Sequence, residues 1–264
     1  MFQIQHILFP VDFSDRSRAA ASYAEEFAAH YDAELILLHV VEPPDYNTAL
    51  TDSHRQHAEG FDKFFGHGVL QKLRVQRIIT HGDATAKIIE AAGKHNADLI
   101  MIPTQGMGVY RRLIIGSTSA KVLHDADCPV WSGVHWEHVL TPEKIHYRRI
   151  CCAVDLKPHS AKVLDWANEF ARSYDAQVTV IHVGNVEQTG DSLPPLVQLQ
   201  QQTGSSAAVL VEQGEPAYTI ARLAGELQAD LLVIGRGAES GIMGRLVATA
   251  YSIIRQSPCP VVSV

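Results

Sequence analysis

A carboxylate and a run of glycines and hydroxyls are the groups in this chain best suited to hold a phosphorylated ligand. Asp12 follows the apolar run Ile7-Leu8-Phe9 and the dipeptide Pro10-Val11. Far along the chain, Pro103-Thr104-Gln105-Gly106-Met107-Gly108 is followed by Gly116-Ser117-Thr118-Ser119, with nine residues between Gly106 and Gly116. Glycine lets backbone N–H groups approach an anion closely and adopt positive φ. A helix opening at Gly116-Ser117 would add unpaired N–H donors and a favourable dipole. The Ser117 and Thr118 hydroxyls supply further donors, and Arg111 and Arg112 carry neutralising charge. Each feature also has a plain structural reading. Ser117 is a good N-cap, Asp12 is a favoured cap for a following helix, and short glycine patterns recur by chance. A capping role for Asp12 and a ligand-binding one are compatible.

Strands and helices that would position these groups alternate along the chain. After Ile7–Phe9, Ser14 can cap a segment in which Ala20, Tyr23, Ala24, Phe27, Ala28 and Tyr31 recur at helical spacing. Residues 35–41 are almost all apolar, as a strand buried on both faces should be. A polar segment, predicted helical from about Thr51, comes next. Strands are predicted at 75–80, 99–102 and 130–134, with helices at 84–95 and 117–125. Alternation of this kind argues for a parallel sheet covered by helices. Ligands of such sheets sit outside the carboxyl ends of the strands, where strand order reverses. Asp12 and the Gly106 loop both follow strands.

The same order then recurs. Ile150 opens ICCAVDLKPHSAKVLDWANEFARSYDAQVTVIHV, a near copy of the stretch from Ile7. Asp12 matches Asp155 and His39 matches His182, both 143 positions apart. Gly82-Asp83 matches Gly214-Glu215, Asp98 matches Asp230, and Cys128-Pro129-Val130 matches Cys259-Pro260-Val261. Residues 136–149, polar and between the matched regions, read as a linker. The second copy keeps Asp155 and a glycine-rich loop from Gly235. It has Val247 or Ala248 where the first has Gly116, depending on a one-residue slip, and Glu239 adds negative charge nearby. It therefore reads as a structural or regulatory partner of the first.

Composition bounds the function classes. The chain has 264 residues, 46 % hydrophobic and 19 % charged, as expected of two soluble domains. A formal charge of −7 argues against nucleic acid or an anionic membrane as the main partner. No apolar run approaches the roughly 18 residues of a membrane span, and the opening MFQIQHILFPVDF reads as a first strand rather than a signal peptide. The four cysteines suggest no disulfide framework, which points to a reduced, cytoplasmic setting. The pairs His54/His57 and His135/His138 lack further ligands at metal-site spacing, and His39 and His182 read as hydrogen-bonded or core residues.

Two PVDFS-like and LLHV-like segments, then GD, the glycine–serine pattern and CPV, resemble a tandem universal stress protein over nearly the whole chain. The resemblance implies an α/β fold of two repeated five-stranded parallel-sheet domains (Rossmann-like, adenine-nucleotide α-hydrolase-like), with strand order 3-2-1-4-5. The domains would span 1–138 and 147–264 and pack as a pseudo-dimer through their last strands, and chains could pair further as homodimers. It implies ATP, with or without Mg, in the first repeat. Gly106, Gly116, Ser117 and Thr118 would hold the phosphates, and Asp12, beside Pro10 and Val11, would contact the adenosine. The Val40 backbone would meet the adenine edge and Ile102 would line the pocket. The first glycine of the family's signature falls on Pro103, which has no N–H and a fixed φ. The expected role is stress signalling through a nucleotide-dependent surface that meets a protein partner, with at most slow ATP hydrolysis. The alternative is a nucleotide-free scaffold.

Overall fold

Strand β1 (His6–Pro10) starts a sheet because its neighbours offer two apolar faces to cover it. The computed structural model describes residues 2–41, 60–61, 64–65, 72–103, 115–133, 140–184, 193–236 and 248–264. In the first repeat β1 is followed by α1 (Asp15–Tyr31), β2 (Glu34–Val41), β3 (Arg74–His81), α2 (Ala84–Lys94), β4 (Leu99–Pro103), α3 (Ser117–Asp125) and β5 (Val130–Gly133). The second repeat runs β6 (Arg149–Ala153), α4 (Ser160–Ser173), β7 (Gln177–Gly184), α5 (Leu193–Thr203), β8 (Ala208–Gln213), α6 (Pro216–Glu226), β9 (Leu231–Ile234), α7 (Ala248–Gln256) and β10 (Val261–Ser263). Of the segment predicted helical from Thr51, Gly60-Phe61 and Phe64-Phe65 are helical; the rest lies outside the described residues.

Local side-chain and backbone signals set these boundaries, Ser14 among them as expected. Ser14 caps α1 by accepting from the Ser17 N–H, and Asp32 ends it in the left-handed region at φ 49°. Gly82 and Gly214 turn into α2 and α6 at φ 138° and 136°, where a side chain would be strained. Asp83 and Glu215 then cap those helices. Asp98 and Asp230 share one task. Each carboxylate accepts two backbone N–H groups at the start of its repeat's first strand: Gln5 and His6, or Arg148 and Arg149, at 2.8 and 2.9 Å.

The strands form one ten-stranded sheet in the order β3-β2-β1-β4-β5-β10-β9-β6-β7-β8. Each half has the 3-2-1-4-5 order expected of it, and every pairing is parallel except β5 with β10. There Trp131 lies opposite Val262 and Ser132 opposite Val261. The last strands thus join the repeats as a pseudo-dimer, and each covers the other's edge. Both faces of the sheet carry continuous apolar layers that run through the two repeats.

One of these layers is aromatic at the seam. Phe27 of α1 and Phe170 of α4 have ring centroids 5.6 Å apart, and Tyr147 stands edge-on to both at 5.5 and 5.3 Å. Tyr147 and Ile145 belong to the stretch read as a polar linker, yet both are buried. Tyr31 bonds Ser173 at 2.7 Å, and the Tyr174 hydroxyl donates to Glu26 at 3.0 Å. Burial pushes the carboxyls of Glu25 and Glu26 up to about 7. The folded chain therefore holds protons that the unfolded chain releases. This contribution is fully present below the ordinary value of 4.5 and is lost as pH rises through about 7. Glu26→Gln, which keeps an acceptor for Tyr174, should flatten stability between pH 5 and 8. At pH 8 it should gain about 1 kcal/mol after allowance for partial exposure. Urea titrations of both proteins at pH 5, 6.5 and 8 read this directly; an unchanged pH slope would contradict it.

A second tie crosses the seam from Arg236, just beyond β9. Its guanidinium donates to the carbonyls of Ala126, Cys128 and Ser263. Ala126 is the C-cap of α3, so the cation also sits at the negative end of that helix. Arg236→Ala should cost about 2–3 kcal/mol in chemical denaturation, because carbonyls in the seam lose their donor. Lysine should restore only part of it, as one ammonium cannot reproduce the fork.

Candidate functional site

The strand order reverses between β1 and β4, and a cavity of ≈ 250 Å³ lies at that point. Pro10, Val11 and Asp12 reach it from the end of β1, and Val40 from the end of β2. Ile102 and Pro103 enter from β4, and Gly116, Ser117 and Thr118 from the start of α3. The fold thus brings together every described residue singled out for the site. Gly106, Arg111 and Arg112 lie outside the described residues.

Asp12 is held by the helix start that follows it. Its Oδ1 accepts from the Ser14 N–H at 3.0 Å, from the Ser14 hydroxyl at 2.6 Å, and from the Ser17 hydroxyl. Burial alone would raise its pKa, but these hydrogen bonds outweigh it and hold the carboxyl below the usual range. Asp12 is therefore an anion at neutral pH with one oxygen fixed. Ser14, not Asp12, is the cap of α1, and Asp12 buttresses it. Phe13 takes φ 57°, and its counterpart Leu156 takes 63°. Positive φ at a non-glycine residue is strained and persists where the surroundings over-determine it. His39 supplies part of that constraint. Its Nδ1–H donates to the Val11 carbonyl at 2.7 Å, and His182 does the same to Val154 at 2.9 Å. Both histidines are hydrogen-bonded as expected.

The α3 end of the cavity departs from two expectations. Gly116, rather than Ser117, is the N-cap, and among the described residues no side chain caps the helix. Gly116 has φ −61°, a conformation open to any residue, so its value there is absence of bulk rather than positive φ. Among the described residues no side chain accepts from the first N–H groups of α3, which stand beside the Ser117 and Thr118 hydroxyls, an arrangement suited to an anion. Pro103 ends β4 and lines the cavity, and its carbonyl accepts from the Ser119 hydroxyl at 3.0 Å.

Arg16, Ser17, Ala84, Ile88 and Ser119 also line the cavity and were not picked out from the sequence. Aligning the two copies picks out Ser17 and Ile88, which recur as Ser160 and Ile220. A second cavity of ≈ 250 Å³ lies at the β6/β9 switch point, lined by the counterparts His159, Ser160, Pro216, Ile220 and Ala250, with Asp155 in the place of Asp12. α3 and α7 both have nine residues, starting at Ser117 and Ala248. Counted back from the matched Cys128 and Cys259, Thr249 corresponds to Thr118; Val247 lies outside the described residues.

The cysteines are poor nucleophiles. Burial pushes Cys128 up to about 11 and Cys151 and Cys259 to about 12, with Cys152 raised as well. Reactivity needs the thiolate, so the adjacent Cys151-Cys152 pair is a packing feature. Among the described residues no group of three or more His, Cys, Asp or Glu is placed to hold a metal ion. His54, His57, His135 and His138 lie outside the described residues. No described helix is long and apolar enough to cross a membrane.

Two doubly wound α/β repeats, joined edge to edge and each with a crevice at its switch point, define the class. The chain belongs to the universal stress protein family, whose model matches residues 3–132, 146–203 and 185–264. It is 27 % identical to a universal stress protein of Mycolicibacterium smegmatis, over 95 % of this chain and 93 % of that one. A Thermus aquaticus universal stress protein is 32 % identical over 47 % of this chain and 94 % of its own length, so it matches about one repeat. Among solved structures, a universal stress protein from Archaeoglobus fulgidus superposes with a TM-score of 0.80 at 22 % identity. That match covers 99 % of this chain and 98 % of the other, and it shows the shared fold.

Proposed function

We propose that the first-repeat cavity binds ATP or a related adenine nucleotide, and that occupancy alters a surface read by a protein partner during stress. The observation that carries this reading is the pairing across one cavity of an ionised, half-engaged Asp12 with an α3 N-terminus that no described side chain caps. Asp12 would accept from ribose hydroxyls, and Val40 and Ile102 would flank the base. Ser117, Thr118 and the N–H groups from Gly116 onward would meet the phosphates, with Gly106 expected beside them. Arg16 also lines the cavity and has no ion-pair partner among the described residues, so its charge is available to an anion. Mg would travel with the phosphates. No general base for water attack stands out among the described residues, so any hydrolysis is expected to be slow. Two domains, 1–138 and 147–264, a reduced cytoplasmic setting and further pairing of chains belong to the same reading.

The competing reading, a nucleotide-free scaffold, draws on Pro103 at the first glycine position of the family signature. The α3 N-terminus weighs against it, because uncapped donors and two hydroxyls around a cavity serve no evident packing purpose. The test is thermal unfolding with Mg-ATP. A ligand at 100 times its Kd adds about 2.7 kcal/mol of stability, which raises the melting temperature by several degrees. That increment should vanish in Asp12→Ala. An equal increment in both proteins would place ATP elsewhere.

A further inference from the structure

The two ends of the sheet are built alike but charged oppositely. Strands β3 and β8 close it, and α2 and α6 lie over the same face, with Ile88 and Ala91 of one and Ala217 and Ile220 of the other in one apolar layer. Residues 72–94 at the first end carry Lys72, Arg74, Arg77, Lys87 and Lys94 against Asp83 and Glu90. Residues 206–226 at the second end carry Glu212, Glu215 and Glu226 against Arg222. Matched through Gly82-Asp83 and Gly214-Glu215, Lys94 stands where the second end has Glu226, and Glu90 where it has Arg222. Arg222 reaches Glu212 on β8 at 3.6 Å and Glu226 at 2.8 Å, so this stripe of α6 overlooks the sheet edge. Tyr218 stands beside the stripe, 63 % exposed and the most exposed large apolar side chain among the described residues. At the other end a groove of ≈ 270 Å³ separates α2 from β3, lined by Leu38, Ile78 and Ala91 and by Lys87, Glu90 and Lys94. Lys87 is paired with Glu90 at 2.6 Å, whereas Lys94 has no ion-pair partner among the described residues.

We propose that the β8/α6 end of one chain docks on the β3/α2 end of a second copy, so that chains associate head to tail. The geometry follows from the strand directions. Only the β5–β10 pairing is antiparallel, so β8 runs opposite to β3. A second copy carried along the sheet by translation therefore brings β8 and β3 together antiparallel, as β5 and β10 already meet, with α6 and α2 on one face. Each of these helices runs back along the strand before it. The Glu215 and Tyr218 end of α6 then meets the Lys94 end of α2, and Glu226 meets Lys87. Tyr218 is the aromatic anchor and the groove beside α2 receives it, with the charge pairs around them. Charged edges ordinarily keep sheets from joining, and here they set the rule. β3 against β3, or β8 against β8, brings like charges together, so only unlike ends are compatible. A heterologous contact of this kind extends rather than closing on two chains. It names a surface for the further pairing of chains and does not depend on nucleotide binding.

Sedimentation velocity of the full chain, at low salt and without nucleotide, tests it. The native chain is expected to grow beyond two chains as its concentration rises, with an affinity that falls at least about tenfold between about 50 and 500 mM NaCl. Lys87→Gln with Lys94→Gln neutralises one end, and Tyr218→Ala with Glu226→Gln blunts the other. Each doubly substituted protein, checked for folding by circular dichroism, should remain a single chain. Mixed in equal amounts they should form two-chain complexes and nothing larger, because each contributes one intact end. A native chain that stays single at about 0.5 mM, where a contact with a Kd of about 100 μM would be well populated, overturns the proposal. So does assembly that either variant retains alone, or a mixture that forms no complex. Failure of the ATP reading would appear only in nucleotide titrations and would leave these results unchanged.

Discussion

Gly116→Val is expected to weaken Mg-ATP binding at least about 100-fold, close to 2.7 kcal/mol, while the chain stays folded. The N-cap backbone at φ −61° and ψ 152° suits a β-branched residue, so no backbone strain is introduced. The loss comes from bulk. Gly116 is buried against the cavity, and two methyl groups there would stand between the first N–H groups of α3 and an approaching phosphate. Gly116→Ala should fall between the two. The second repeat already carries valine at this position, Val247, so the substitution turns one repeat towards the other. Calorimetric affinities for the three proteins, with circular dichroism to confirm folding, decide the matter. An unchanged Kd in Gly116→Val would mean that the α3 N-terminus does not hold the phosphates.

Trp131→Ala should destabilise the chain by about 3–5 kcal/mol and should do so to both repeats in one transition. Trp131 is fully buried on β5, faces Val262 across the antiparallel seam and lies 5.1 Å from the Tyr23 ring. Its loss opens a void in an apolar layer that spans the molecule. Because β5 and β10 cover each other, loosening one exposes the edge of the other repeat. Far-ultraviolet circular dichroism against guanidinium reads both repeats without relying on the lost indole. Two separate transitions, or a cost below about 1 kcal/mol, would show that the repeats fold independently.

Much of this was legible in the sequence because the chain states it twice. Buried strands such as Leu35–Leu38 announce themselves as unbroken apolar runs, and Ser14 marks the start of α1 as its cap. The switch-point rule, with the strand order that the resemblance implies, puts Asp12 and the Gly106 loop at one crevice; Asp12 and Gly116 do share a cavity, and Gly106 lies outside the described residues. Three things escaped. Tyr147 sits in a polar-looking stretch, and only the three-dimensional meeting of α1 and α4 makes it core. Arg236 resembles a loop cation until the seam brings the α3 carbonyls beside it. The cap of α3 falls on Gly116 because the helix begins one residue earlier than the Ser117 hydroxyl suggested, with Ser117 already helical.

The proposed nucleotide binding is asymmetric, with ATP expected in the first repeat and not in the second. Calorimetric titration of nucleotide-stripped protein with Mg-ATP tests it most directly, because it counts sites. One site per chain, absent in Gly116→Val, is the predicted result. Two sites would contradict the asymmetry, and no heat across several temperatures would contradict nucleotide binding itself and leave Pro103 as its physical cause.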